Sequence, residues 1–171
     1  MKRLMFSLLA LTMFAAMSLP AHADDIKDIE ALYNKYCAAT KAKSVERVLA
    51  LITDDYTSVF MGKVASRKQT EEGIKMTFEF VKRVDTCTAK ISEISVNGSS
   101  ATAKYKMRLV TTTTSETESQ VKKIELLNSY NDVYKKTAQG WKIKTSTLAD
   151  SKVTLDGKRF DPYKFPTPTK K

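Results

Sequence analysis

The sequence has 171 residues and carries 29 Lys or Arg against 19 Asp or Glu, a formal charge of +10 at pH 7. That length fits one domain with a substantial hydrophobic core. Its single histidine, His22, lies in a segment that we expect to be removed. The mature protein would then have no imidazole for acid–base, nucleophilic or metal chemistry. Oxygen ligands alone could still bind a hard metal, but the sequence has no recognisable loop for one, so we expect no metal site and no cofactor.

The first 23 residues have the pattern of a secretory signal peptide. Lys2 and Arg3 form a basic start, an apolar run follows, and Ala21-His22-Ala23 has the small-x-small form of a cleavage site. The apolar run is shorter than the roughly 20 residues that a membrane-spanning helix needs. We therefore expect residues 1–23 to be a signal peptide and the mature protein to be exported, either periplasmic or secreted.

Export and charge together limit the choice of partner. An exported protein has little access to nucleic acid, so we expect none to be bound. The excess of basic side chains predicts at most weak contact with anionic surfaces.

Two helices are predicted at the start of the mature chain. Ser44 is a good N-cap for the second, a short helix that ends near Thr53. The first is long and amphipathic, because its apolar side chains recur at spacings of three and four; they are Ile26, Ile29, Tyr33, Tyr36, Cys37 and Thr40.

A third helix is predicted after Ser66, which stands at capping-box spacing from Gln69. Its apolar stripe is wide enough to predict deep burial. The stripe consists of Ile74, Met76, Phe78, Phe80, Val81 and Val84.

After Asp85 the apolar period changes to two, which predicts strands. The strand that starts at Cys87 slips in phase before Ile94, which indicates a bulge, and Asn97-Gly98 predicts a hairpin turn. A polar tip at residues 111–120 separates the return strand from two further strands, residues 121–135 and 141–148. Residues 151–171 are expected to form a partly mobile C-terminal extension.

This order of elements predicts an α+β domain over residues 24–150, with the N-terminal helices packed in a strongly curved antiparallel sheet. Three sequence features carry a resemblance: Leu51-Ile52-Thr53-Asp54-Asp55-Tyr56 with the following Gly62, Asp132-Val133-Tyr134, and Gly140-Trp141-Lys142-Ile143. They resemble the nuclear-transport-factor-2-like superfamily, particularly its SnoaL-like bacterial branch. The resemblance implies a cone-shaped, cystatin-like domain whose sheet wraps a long helix and leaves an apolar pocket.

The ketosteroid isomerases of that superfamily hold an oxyanion with a tyrosine on the first helix and a protonated aspartate on a late strand, and add a carboxylate base. Counting without gaps, the resemblance places Tyr36 and Asp132 at the first two positions and Phe60 at the base. A phenyl ring cannot accept a proton, so isomerase chemistry is not supported. A function without catalysis is therefore favoured over an enzymatic one. Tyr36 as a core tyrosine and Asp132 as a structural aspartate are the simpler interpretation.

The only cysteines are Cys37 and Cys87. In an oxidising compartment they form either a disulfide or two buried thiols. The cone fold implied by the resemblance lays the strand that begins at Cys87 beside the first helix. We therefore predict that the two Cα atoms lie within the roughly 7 Å that a disulfide allows.

Side chains on the concave face suggest a ligand pocket, because an apolar cleft with a few convergent hydroxyls is the usual form of a small-molecule site. In such a pocket burial should raise the pKa of Asp132, and a hydrogen bond from Tyr36 or Tyr56 should limit the rise. The candidate lining residues are Tyr33, Tyr36, Tyr56, Phe60, Phe78, Tyr105, Met107, Tyr130, Asp132, Tyr134 and Trp141.

Three functions remain open. The first is an exported binding or accessory domain for a small apolar or aromatic ligand; the second is a lyase or isomerase that uses Asp132 and Tyr36. The third is an interaction module that uses the basic outer face of the sheet. Like charges on that face predict a monomer or a weak homodimer; they are Lys104, Lys106, Arg108, Lys142 and Lys144.

Overall fold

The computed structural model describes residues 20–114 and 121–160. Residues 1–19 of the expected signal peptide, residues 115–120 and the tail 161–171 lie outside the described part. In chain order the elements are α1 (Pro20–Lys41), α2 (Val45–Leu49), β1 (Ile52–Phe60), β2 (Lys63–Ser66), α3 (Arg67–Phe80), β3 (Val81–Asn97), β4 (Ser100–Thr114), β5 (Val121–Thr137), β6 (Gly140–Leu155) and β7 (Lys158–Phe160). None of these helices is long and apolar enough to cross a membrane.

The strands form one curved sheet in the order β2-β1-β6-β5-β4-β3, with β7 paired to β6. The α+β class and the antiparallel meander from β3 to β6 are confirmed. The sheet is mixed, however, because β1 pairs with β6 in parallel. The chain leaves β2 through α3, enters the far edge at β3 and returns strand by strand until β6 lies beside β1.

The first strand pair is a feature that the sequence analysis did not predict. Helix α2 ends at Leu49, before the expected limit near Thr53, and β1 begins at Ile52. Exposed Asp54 and Asp55 interrupt the alternation between buried Thr53 and buried Tyr56. That interruption removed the period-two signal on which strand prediction depends.

The long hairpins follow the sequence closely at their turns. The register of β3 shifts between Ile91 and Glu93, which confirms the bulge. Gly98 and Gly140 lie at the turns that lead into β4 and β6, and both have a positive φ. Glycine adopts this backbone conformation without a steric penalty.

The strands themselves are longer than predicted. A polar tip was predicted from residue 111, and the first part of this prediction is wrong, because Thr111, Thr112 and Thr113 are buried residues of β4. Threonine occurs in pleated strands as well as in loops, so composition alone did not separate the two. Likewise, β6 runs past residue 150 to Leu155, and Val153 pairs with Phe160 of β7. The sheet therefore continues into the segment that was expected to be an extension.

Helix α3 is not deeply buried, which corrects the sequence analysis. None of its residues is buried, and Met76 and Phe80 are 70% and 56% exposed. Val81 and Val84, which were assigned to its stripe, are buried residues of β3. Helix α3 packs beside β1 and β2, whereas α1 packs against β3 and β6 and supplies the helical part of the core.

A disulfide fixes α1 to the sheet. Cys37 and Cys87 are bonded, with their Cα atoms 5.3 Å apart, inside the range that was predicted. Both residues are buried within a core that also includes Ile29 and Leu32 of α1. The helix is therefore held covalently near its C-terminal end.

Asp25 holds the other end of α1. It is 7% exposed, and its carboxylate accepts hydrogen bonds from Trp141 Nε1 at 2.8 Å and from Lys136 Nζ at 2.6 Å. The Lys136 ammonium also lies 5.7 Å from the centre of the Trp141 ring. These contacts tie the start of α1 to the β5–β6 hairpin.

We expect Asp25→Ala to lower the free energy of unfolding by about 2 kcal/mol, because it leaves a buried indole N–H without its acceptor. The neighbouring Asp24 offers a matched control: its side chain is 80% exposed and lies 4.0 Å from the ammonium of Lys27. Asp24→Ala should change the stability by less than about 0.5 kcal/mol. Urea unfolding of both variants measures the difference, and equal losses would contradict the role given to Asp25.

The outer face of the sheet is basic but interleaved with acids. Lys104 pairs with Glu93 at 2.8 Å and Arg108 with Glu125 at 2.6 Å. Acidic partners reduce the repulsion between like-charged faces, so two copies of this face would repel each other less than the cations alone predict. The expected monomer or weak homodimer stays a prediction.

Candidate functional site

Asp132 lies at the centre of the concave face, on β5, and is 1% exposed. The Ser146 hydroxyl donates to its Oδ1 at 2.7 Å and the Tyr134 hydroxyl to its Oδ2 at 3.3 Å. Strand register places it between Ala103 on β4 and Ser146 on β6. Its neighbours on the two adjacent strands are therefore both small residues.

The hydrogen bonds continue from the sheet to helix α1. Tyr33 and Tyr134 share a hydroxyl–hydroxyl hydrogen bond, and because Tyr134 donates to Asp132, it can accept from Tyr33. The Tyr33 ring also contacts Tyr105, with ring centres 4.3 Å apart. A chain of two phenols therefore leads from α1 to the buried carboxylate.

The partners of Asp132 differ from those predicted. Neither Tyr36 nor Tyr56 bonds to it; Ser146 and Tyr134 do. Tyr33, one helical turn before Tyr36, supplies the helix hydroxyl that the gap-free count had assigned to Tyr36. Both tyrosines belong to the apolar stripe of α1, so periodicity alone could not choose between them.

Burial controls the charge of the site. It raises the pKa of Asp132 to about 6, and the hydroxyls of Ser146, Tyr105 and Tyr134 oppose the rise. Burial, with the charge of Asp132 as the next cause, also raises the pKa of Tyr33 and of Tyr134. Near pH 6 the carboxylate therefore changes its protonation state while the phenols remain O–H donors.

An aromatic pair lies next along the concave face. Tyr105 and Tyr130 stack with ring centres 5.1 Å apart and an interplanar angle of 17°. The Tyr130 hydroxyl accepts a hydrogen bond from Asn128 at 2.9 Å, and Ser151 donates to Asn128 at 2.8 Å. Sequence reasoning missed Asn128 and Ser151, although Asn128 is two residues from Tyr130 and so shares its face.

The level of the concave face beyond Asn128 and Ser151 is apolar. Leu109, Leu126 and Val153 pair across β4, β5 and β6, and Leu109 pairs with Cys87 of the core. All three are half-buried. From Asp132 along the strands, the face therefore changes from polar to aromatic, passes the bonded pair Asn128 and Ser151, and then becomes aliphatic.

Three of the candidate pocket residues do not belong to this arrangement. Phe60 ends β1 and is 46% exposed. Phe78 is half-buried on α3, which packs beside the edge strands. Trp141 is buried, but its N–H is bonded to Asp25. Those that line or support the face are Tyr33, Tyr36, Tyr56, Tyr105, Met107, Tyr130, Asp132 and Tyr134, all buried or half-buried.

Over residues 20–114 and 121–160, no group of three or more His, Cys, Asp or Glu side chains could hold a metal ion. The concave face presents the carboxylate of Asp132 together with hydroxyl groups and aromatic rings.

Comparison with known proteins identifies the fold. The family model of the SnoaL-like domain matches residues 21–147. A candidate scytalone dehydratase from Novosphingobium aromaticivorans has a TM-score of 0.65 at 18% identity, over 78% of this chain and 88% of that one. A candidate dehydratase of the nuclear-transport-factor-2-like family from Streptomyces avermitilis has a TM-score of 0.62 at 14% identity, over 74% and 95%.

A ketosteroid isomerase-like protein from Erwinia carotovora atroseptica is also similar, with a TM-score of 0.57 at 19% identity, over 74% of this chain and 98% of that one. At such identities the likeness establishes the fold alone. No functionally curated protein matches the sequence.

Proposed function

Since the chain belongs to the SnoaL-like family, we propose that it binds a small aromatic or otherwise apolar molecule with one oxygen function inside the cone. The observation that carries this proposal is the position of Asp132, buried and hydrogen-bonded beside the stacked pair Tyr105 and Tyr130. A few polar groups among aromatic and aliphatic side chains form the usual small-molecule site.

The side chains define how such a ligand would be held. A ligand hydroxyl can donate to a free lone pair of the ionised Asp132, and a ligand carbonyl can accept from a phenol. An aromatic ring can stack on Tyr130, which is half-buried. The aliphatic level of Leu126 and Val153 would contact the remaining apolar part of the ligand.

A second candidate is a lyase or isomerase activity at the same site. A carboxyl group whose pKa is raised to about 6 can exchange a proton near neutral pH. Among the structural relatives are proteins named as a candidate dehydratase and as ketosteroid isomerase-like. Binding without conversion remains the first choice, because the described side chains that bond to Asp132 or stack beside it are hydroxyl groups and phenol rings, none of which is a second base.

We also propose that the protein acts after export, with residues 1–23 removed. Native mass spectrometry of protein recovered from the exporting cell tests both proposals. We expect a chain that begins at Asp24 and carries an additional small mass, which denaturation releases. Asp132→Asn should lose that mass, whereas Lys106→Gln, on the exposed outer face, should keep it.

Each outcome of that experiment has a clear meaning. A chain that still begins at Met1 contradicts export, and the same bare mass for all three proteins contradicts binding. If the released molecule is stable on incubation with the protein, binding is supported. If it is isomerised or loses water, the second candidate is correct.

A further inference from the structure

A separate cleft lies between α2, α3, the start of β1 and the turn between β5 and β6. Its volume is about 630 Å³, and it shares no residue with the tyrosines around Asp132. Small-molecule sites commonly have volumes of roughly 300–1,000 Å³. The cleft is therefore large enough for a ligand of its own.

One wall of the cleft is apolar. Val45 and Leu49 line it from α2, and Ile52 lines it from β1. Ile52 is buried and Leu49 packs against the hydrophobic core, so this wall is fixed to the body of the domain. Such a wall can receive an aliphatic or aromatic group.

Arg67, the first residue of α3, supplies an unsatisfied donor in the cleft. Its Nη2 makes a long hydrogen bond of 3.5 Å to the Leu49 carbonyl. Its Nε is buried and has no acceptor among the residues that the structure describes. A buried N–H of a charged group without an acceptor raises the free energy of the folded protein. A ligand that supplies an acceptor would remove this penalty.

The nearest acid along the helix also lines the cleft but is paired with a lysine. Glu71, four residues after Arg67, bonds to Lys75 at 2.6 Å, and both side chains belong to the cleft wall. The backbone donors at the start of α3 are also satisfied, because Ser66 and Gln69 form a capping box. The available donor is therefore the Arg67 guanidinium and not the end of the helix.

Charges elsewhere in the cleft restrict the ligand. Lys142 is half-buried in the wall and has no ion pair within the described part of the chain. Exposed Glu46 and Asp54 also line the cleft, and they would repel a doubly charged anion. A single negative charge beside an apolar body fits this pattern.

We propose that the cleft binds a small monocarboxylate with an apolar body. The carboxylate pairs with the guanidinium of Arg67, whose planar fork matches two carboxylate oxygens, and Lys142 adds a second positive charge. The body lies against Val45, Leu49 and Ile52. The site is independent of the ligand proposed for the cone.

Titration of the whole chain with phenylpropionate, followed by the ¹⁵N–¹H signal of Arg67 Nε, tests the proposal. The signal should shift and saturate, and phenylpropanol should bind about tenfold more weakly, because it lacks the charged acceptor. Arg67→Gln should lose about tenfold in affinity for the acid. Lys68→Gln removes the same charge from an exposed residue that does not line the cleft, and should change the affinity less than twofold.

Several results would overturn the proposal. They are a signal that does not saturate, equal affinities for the acid and the alcohol, and equal losses in Arg67→Gln and Lys68→Gln. If Arg67→Gln fails to fold, the comparison of acid with alcohol on the unmodified protein still decides the question.

Discussion

Replacing Cys37 and Cys87 together by alanine should lower the free energy of unfolding by roughly 4 kcal/mol, which is the value for a loop of this length in the chain-entropy model. The bridge joins residues 50 positions apart, so its loss gives the unfolded chain a large gain in conformational freedom. Both side chains are buried, and alanine keeps their surroundings apolar. Urea unfolding without reductant measures the loss.

Reductant provides the matched control. It should destabilise the unmodified protein by a similar amount and leave the alanine variant unchanged. The unmodified protein should show no titratable thiol after denaturation without reductant. Two reactive thiols in that assay, or insensitivity to reductant, would contradict the disulfide.

Asp132→Asn should stabilise the protein at pH 8 by up to about 3 kcal/mol, with little difference near pH 4. The pKa of Asp132 in the folded protein is about 6, above its ordinary value of 3.8. The folded state therefore binds the proton more tightly, and stability falls as the pH rises from about 4 to 6. An amide has the same shape without the charge, so it does not incur this loss.

Unfolding free energies of the two proteins across that pH range measure the effect. Other carboxylates act equally in both proteins and cancel in the difference. Asp150→Asn removes the same charge from an exposed position on β6 and is the matched control; an equal change in both variants would contradict the role given to burial. If the free energy of unfolding of Asp132→Asn falls with rising pH as steeply as that of the unmodified protein, the raised pKa of the buried carboxylate is contradicted.

The sequence predicted the parts of the fold that local patterns specify. The stripe of α1, the capping box at Ser66 and the bulge near Ile91 are all present. Each depends on side-chain period or on backbone conformation over a few residues. The family resemblance then supplied the cone, which no local pattern defines.

The wrong predictions concern features of the fold that tertiary contacts determine. The broad apolar stripe of α3 predicted burial, yet Met76 and Phe80 are exposed because α3 packs beside the edge of the sheet. The parallel pairing of β1 with β6 joins residues about ninety positions apart, such as Ile52 and Ile143. No period in the sequence carries information on such a pairing.

The sequence predicted the burial of Asp132 but not its hydrogen-bond partners. Asp132 was selected by the resemblance, and its burial and raised pKa follow from an inward position on a strand. The choice among hydroxyl donors depends on helix rotation and strand register, which separate Tyr33 from Tyr36 and bring Ser146 beside the carboxylate. Periodicity limits the set of candidate hydroxyl donors but does not identify the ones that bond to Asp132.

The most direct test of a ligand site at Asp132 is the difference between the native and the denatured mass of the protein recovered after export. We predict a small additional mass on the unmodified chain that denaturation removes and that Asp132→Asn does not retain. The same bare mass for both proteins, or equal retention by Asp132→Asn, would contradict the site.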